Sequence, residues 1–235
     1  FNSLMKKTIV ALALLFGKTC LLSQSSMYQL ESLFSVIPDP VTESKDSPVR
    51  KATYLRLDKL ILKRLLLAAP ESTSFVLPIS ENRQVTLALH RSRNILAPDF
   101  PVVTSEGEVY PYKPGLYYRG YIIGASPSVV TVSLFESEVM AIFSDKTGNY
   151  VLGLWNSSLN SDKTIYVLYE DRDWIAPRFY KCEAIEPDPK PAQKNSSSIM
   201  RNTLSNKCIR VYFECDYQMY LDRGSNVQNV GNFVT

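Results

Sequence analysis

The chain has 235 residues, of which 45% are hydrophobic and 21% charged, and its formal net charge is +3 at pH 7. This length is enough for one good-sized domain with additional segments. The single histidine, His90, excludes any site built from two imidazoles, and the mild positive charge does not favour a nucleic-acid partner. His90 ends an alternating stretch beside arginines, which predicts a surface position.

The N-terminal segment is typical of a secretory signal peptide. Two lysines follow Met5, an apolar run covers residues 8–17, and small residues begin at Ser23. The apolar run is too short to cross a bilayer, which requires about 20 residues. We therefore predict a signal peptide over residues 1–25, with the residues before Met5 lying upstream of the initiator. A buried core helix is the alternative. The signal predicts a secreted or cell-surface protein without a transmembrane span.

The pattern after the signal peptide predicts one helix and then a series of strands. The helix is expected over residues 57–69, because Asp58 can accept hydrogen bonds from its first turn and Pro70 ends it. Apolar residues then recur at every second position, in short segments separated by turns. These segments are 75–77, 85–89, 117–124, 130–134, 139–143, 150–155 and 164–169. The predicted fold class is mainly β, an antiparallel β-sandwich or meander with one N-terminal helix.

The composition changes after Trp174. Residues 183–206 contain prolines and a run of serines with almost no large apolar side chain, which is typical of a linker. Beyond the linker, apolar residues alternate from Ile209 to Cys215, which predicts an amphipathic strand with Cys215 packed as a small hydrophobic residue. A single strand is not stable alone. The prediction is therefore a β-rich domain over residues 26–182, the linker, and the start of a truncated second domain over 207–235.

Several sequence motifs occur in a distinctive order. They are Asn-Ile-Leu-Ala-Pro-Asp-Phe at 94–100, Tyr-Tyr-Arg-Gly-Tyr-Ile-Ile-Gly at 117–124, Ser-Val-Val-Thr-Val-Ser at 128–133 and Gly-Asn-Tyr-Val-Leu at 148–152. This series resembles the propeptide of reprolysin-like (adamalysin or ADAM-type) zinc metallopeptidases. The segment Cys-Ile-Arg-Val-Tyr-Phe-Glu-Cys-Asp-Tyr at 208–217 resembles the opening strand of the α/β catalytic domain in that family. The likeness covers roughly residues 50–235.

The resemblance implies the N-terminal precursor fragment of a secreted zinc metalloendopeptidase. Its propeptide would assist folding of its own catalytic domain and keep that domain latent until an activating protease cleaves the linker. The zinc would be bound by a His-Glu-x-x-His helix in the missing catalytic domain, so this chain alone is expected to bind no cofactor and to be inactive. The alternative function is an exported, non-enzymatic β-sandwich for adhesion or glycan binding, with Tyr117, Tyr118 and Tyr121 as its binding face.

The resemblance also suggests roles for individual residues. A propeptide cysteine that ligates the catalytic zinc would displace its bound water, and Cys182 stands in the corresponding region. A disulfide between Cys182 and Cys208 is the alternative, and free thiols are the third. Glu214 and Asp216 are candidate ligands of a structural calcium ion, as the family implies near this strand. A solvated strand face is the alternative for these two carboxylates.

Overall fold

The computed structural model describes residues 28–29, 32–40, 49–97, 99–155, 160–175 and 211–235. The predicted signal peptide and linker lie outside these residues, as do Cys182 and Cys208. Within the described ranges, one helix lies between the third and fourth strands, and two more helices follow the last strand. The strands are β1 (Tyr28–Gln29), β2 (Phe34–Ile37), β3 (Thr53–Leu57), β4 (Ser72–Ser80), β5 (Arg83–Arg91), β6 (Val102–Val103), β7 (Val109–Tyr110), β8 (Leu116–Ile122), β9 (Val129–Leu134), β10 (Val139–Asp145), β11 (Gly148–Leu154) and β12 (Ile165–Glu170). The helices are α1 (Lys59–Ala68), α2 (Tyr217–Asp222) and α3 (Val227–Val234), and a 3-10 turn covers Asp171–Asp173.

Ten of these strands form one continuous sheet, in the order β1-β4-β5-β8-β9-β10-β11-β12-β3-β2. Strands β8 to β12 are a meander in which each strand pairs antiparallel with the next. The sheet curls until β3 approaches β4, where the Thr53 hydroxyl donates a hydrogen bond of 2.5 Å to the carbonyl of Ile79. The mainly β class and the meander are confirmed. One nearly closed sheet replaces the two facing sheets of the predicted sandwich, because β3 and β2 extend the meander beyond β12.

Helix α1 lies within the predicted range 57–69, starting two residues and ending one residue inside it. The Asp58 carboxylate accepts from the backbone N–H groups of Leu60 (2.8 Å) and Ile61 (3.0 Å), which would otherwise lack partners in the first turn. At the other end Ala69 adopts the left-handed conformation, with φ of 40°, and Pro70 follows. Among the described residues, no helix is long and apolar enough to cross a membrane.

The hydrophobic core lies inside the curled sheet, where every second side chain of each long strand points inward. Its largest fully buried aromatic side chains include Phe34, Phe143, Tyr150 and Tyr166. Phe143 stacks on Tyr150 with ring centroids 4.9 Å apart, and Tyr166 meets the edge of Phe34 at 5.2 Å. Three α1 side chains join this core: Ile61, Leu62 and Leu65. The helix therefore packs its apolar face against the same core that the strands fill.

The strand predicted between Ile209 and Asp216 is wrong for the part that the structure describes. Residues 211–216 have no regular secondary structure, and α2 begins immediately after them. An extended segment becomes a stable strand only when a neighbouring strand takes its backbone hydrogen bonds, and no strand of the described sheet pairs with this segment. The carboxylate of Asp216 instead caps α2 by accepting from the N–H of Met219 at 2.7 Å.

Candidate docking interface for the C-terminal segment

The last helix, α3, lies against the β-rich domain. Asn226 begins α3 by accepting a hydrogen bond from the N–H of Asn229 at 3.1 Å. One face of α3 then turns toward the sheet, because residues three, four and seven positions apart share a side of a helix. The side chains on this docking face belong to Gln228, Asn232 and Thr235, with Gly231 between them.

Gln228 recognises the backbone of the segment that leads into β8. Its Oε1 accepts from the N–H of Lys113 at 3.0 Å, and its Nε2 donates to the carbonyl of Lys113 at 2.8 Å. The same amide nitrogen also donates to Oδ1 of Asn232 at 2.9 Å. This paired contact fixes both the position and the orientation of the first turn of α3, because an amide side chain that donates and accepts at one residue has little freedom left.

Two tyrosines contact the other end of α3. The Tyr117 hydroxyl donates to Oγ1 of Thr235 at 2.9 Å, and the Tyr112 hydroxyl shares a hydrogen bond of 2.8 Å with the same oxygen. Oγ1 in turn donates to the carbonyl of Gly231 at 2.9 Å. Burial raises the pKa of Tyr112, so this phenol stays neutral and available as a hydrogen-bond partner. Both ends of α3 are therefore held by directional contacts.

Gly231 lets α3 approach the β-rich domain closely. The ring of Tyr112 lies over this glycine, and a Cβ atom at position 231 would be 2.6 Å from its Cε2 atom. Phe100 packs against the other part of that ring with a centroid distance of 6.0 Å. A side chain at position 231 would therefore meet a ring that is already held on several sides.

The centre of the interface contains a buried carboxylate. Asn232, which is 1% exposed, donates from Nδ2 to Oε1 of Glu138 at 3.3 Å. Glu138 lies in the turn between β9 and β10, where the N–H of Phe135 donates to the carbonyl of Glu138 at 2.8 Å. Burial raises the pKa of the Glu138 carboxyl, and the hydrogen bond from Asn232 opposes this effect only in part.

Alanine at position 231 is expected to loosen α3. An alanine in a helix interior is ordinarily about 1 kcal/mol better than glycine, whereas overpacking typically costs about 1–3 kcal/mol. The clash against Tyr112 therefore leaves a net loss of at most about 2 kcal/mol, and we expect Gly231→Ala to speed amide exchange in residues 227–234 by up to roughly 30-fold. Gly153→Ala is the matched control, because a Cβ atom there meets nothing within 4 Å. Slower exchange in Gly231→Ala would show that the close approach does not restrict this position.

The tyrosine face suggested by the sequence does not exist as one surface. Tyr117 and Tyr118 are buried on opposite sides of β8, the first beside Phe135 and the second in the core. The Tyr118 hydroxyl donates to the carbonyl of Pro70 at 2.9 Å. Only Tyr121 of the three is exposed, at 56%. This prediction was wrong because Tyr117 and Tyr118 are adjacent in a strand, where neighbouring side chains point to opposite faces.

The other candidate residues that the structure describes lie at or near the surface. His90 is exposed on β5, as predicted, and its Nδ1 lies 3.1 Å from the Ser72 hydroxyl. Glu214 is exposed, Asp216 caps α2, and Cys215 is a partly exposed free thiol. No group of three or more His, Cys, Asp or Glu side chains is arranged to hold a metal ion in the described part of the chain.

Sequence reasoning missed the docking interface, although Tyr117, one of its residues, had been assigned to a different binding face. Apolar residues alternate at 209–215, and this pattern predicted a strand. The polar residues of α3 match no recognised motif. A signal was nevertheless present: Gln228, Gly231, Asn232 and Thr235 follow the spacing of one helix face. A scan against models of known protein families matched none of them to this chain, and a search of curated proteins found no significant match.

Proposed function

We propose that this chain is the N-terminal precursor segment of a secreted zinc metalloendopeptidase. In this proposal the β-rich domain is a propeptide that assists folding of the catalytic domain and keeps it latent until an activating protease cleaves within residues 183–206. The signal peptide directs the precursor to the cell surface or the medium. Residues 207–235 are the beginning of the catalytic domain.

The positions of the motifs in the fold support this proposal. The motifs at 117–124 and 128–133 fall on β8 and β9, which are neighbours in the sheet, and the motif at 148–152 falls on β11 of the same meander. Gly120 in the first motif sits where a Cβ atom would be 1.8 Å from the carbonyl oxygen of Ala88. The backbones of β5 and β8 approach so closely there that only glycine fits. This close approach explains why the motif has a glycine at position 120.

The observation that carries the proposal is the docking of α3 on the β-rich domain. A propeptide that assists folding needs a surface that holds the first elements of the domain it serves. Gln228, Asn232 and Thr235 make directional contacts with such a surface, and all three follow the segment 208–217, which resembles the start of the catalytic domain. Val211 and Phe213 of the same segment remain exposed, and in the proposal the rest of the catalytic domain covers them.

The catalytic zinc is assigned to the part of the precursor that follows this chain. The described residues hold no group of side chains suited to a metal ion, and a zinc endopeptidase of this family would hold its metal with a His-Glu-x-x-His helix. In the proposal, the described residues of this chain bind the first elements of the catalytic domain and help to keep that domain latent. Whether Cys182 ligates that zinc or pairs with Cys208 decides how directly the propeptide reaches the active site.

The coding sequence that follows the codon of Thr235 tests the proposal. We expect a His-Glu-x-x-His-x-x-Gly-x-x-His motif within about 200 residues, roughly the length of one catalytic domain. The full precursor is expected to show no zinc-dependent proteolysis until it is cut within residues 183–206, and chelation of zinc is expected to abolish the activity that then appears. An immediate stop codon, or a further β-domain in place of the motif, would contradict the proposal.

A further inference from the structure

Glu138 is buried at a position where a carboxylate is ordinarily in water. It belongs to the turn between β9 and β10, and its neighbours Glu136 and Ser137 are both exposed. Glu138 itself is only 7% exposed, and the side chain of Asn232 from α3 lies directly on it. Helix α3 therefore covers part of this carboxyl group and contributes to its burial.

The surroundings of Glu138 do little to stabilise a negative charge. Within the described ranges it takes part in no ion pair, and the 3.3 Å contact with the Asn232 amide is the side-chain hydrogen bond to its carboxyl group. A buried carboxylate without a close cation is disfavoured relative to the neutral acid. The docked state of α3 therefore favours the protonated form of Glu138.

Charged and titratable groups from each neighbouring element face this carboxyl group. Arg223, from the turn between α2 and α3, and Lys163, from the loop before β12, act to favour the carboxylate, but burial has the larger effect. The Arg223 guanidinium is engaged with the ring of Phe233, 3.6 Å from its centroid. Tyr166 of β12 and Tyr112 before β8 are phenols whose pKa burial raises, so they stay neutral.

We propose that α3 docks preferentially on the protonated form of Glu138, so that acidic conditions hold the C-terminal segment and rising pH loosens it. This is a regulation of the docking interface, and its biological meaning rests on the proposed propeptide function. In that setting the segment would be held most firmly in an acidic environment and would be freed toward neutral pH.

The direction of the effect follows from the two states of the carboxyl group. Undocking of α3 would expose the side of Glu138 that Asn232 covers and move its pKa toward the ordinary value, whereas burial in the docked state raises it. The contribution of Glu138 to docking is therefore complete below the undocked pKa and is lost as the pH rises through the docked pKa. Between these two values the docking equilibrium is expected to fall about tenfold per pH unit.

Amide hydrogen exchange of the intact chain tests this proposal. Protection of residues 227–234, corrected for the intrinsic pH dependence of exchange, is followed from about pH 4.5 to 7.5. Helix α1 serves as the internal reference, and only conditions that leave its protection unchanged are compared. We expect the protection of α3 to fall progressively as the pH rises across this range. Glu138→Gln, which is neutral at every pH, is expected to keep the protection constant, and the matched control Glu136→Gln is expected to behave like the unmodified chain.

Two results would overturn the proposal: protection of α3 that does not fall with pH in the unmodified chain, or a fall that persists in Glu138→Gln. Either result leaves the proposed function standing if the downstream zinc motif is found. Conversely, absence of that motif removes the proposed function while a Glu138-dependent fall in protection still establishes the pH-linked docking. The two proposals therefore fail separately.

Discussion

Gly120→Ala is expected to cost more than about 4 kcal/mol in the free energy of unfolding, which places it among the most damaging single substitutions. A Cβ atom at this position would lie 1.8 Å from the carbonyl oxygen of Ala88 and 3.0 Å from the Cα atom of Leu89. Both contacts are with the backbone of the neighbouring strand β5, so no side-chain rotation relieves them. Strands β5 and β8 would have to separate, and their separation opens the core between them.

Gly153→Ala provides the matched comparison for Gly120→Ala. Gly153 lies in β11 of the same sheet, but a Cβ atom there meets nothing within 4 Å. Alanine is expected to be neutral or to stabilise by about 0.4–1 kcal/mol, because it restricts the unfolded chain. Urea denaturation of the two variants measures the difference. Equal stability of both would mean that β5 and β8 do not approach as closely as the structure has them.

Leu65→Ala is expected to destabilise the chain by about 2–5 kcal/mol. Leu65 of α1 is 0% exposed within the hydrophobic core, and its truncation would remove apolar contacts and leave a cavity. Leu67 lies two residues further along the same helix and is 78% exposed. Leu67→Ala is therefore the control, with an expected change within about 0.5 kcal/mol.

Thermal and urea unfolding of both leucine variants gives the measurement. A loss of this size is a large part of the 5–15 kcal/mol that typically stabilises a domain, so the Leu65 variant should unfold at a clearly lower temperature. If the two variants lost similar stability, α1 would not be packed on the core by the face that contains Leu65. Such a result would also contradict the placement of Ile61 and Leu62 in the core.

Local signals account for what the sequence could predict. Asp58 and Pro70 lie at the two ends of α1, and each acts within one helical turn, so the helix was found with nearly correct ends. The strands from β4 to β12 with regular alternation were found for the same reason. The two-residue strands β1, β6 and β7 were missed, and so were β2 and β3. Strand β3 pairs with β12, as at Leu55 and Tyr166, and nothing near Leu55 in the sequence marks a partner more than a hundred residues away.

The docking interface depends on chemistry that a linear pattern does not carry. In the sequence, Glu138 resembles any surface glutamate in a turn between two strands. Its burial, with Asn232 of α3 on its carboxyl group, is seen only in the fold. Tyr112 and Gly231 are likewise ordinary until their close approach is seen. The zinc and calcium roles of Cys182, Glu214 and Asp216 came from family resemblance and stay predictions.

The pairing of β3 with β12 determines when this domain can finish folding during synthesis. A ribosome completes β3 early, but the neighbouring strand position remains empty until β12 at residues 165–170 has emerged. Native contacts of such sequence separation slow folding, so the sheet stays incomplete until both strands are available. By the time β12 is synthesised, the turn that contains Glu138 has already been synthesised. Helix α3 is synthesised after all the strands of the domain on which it docks.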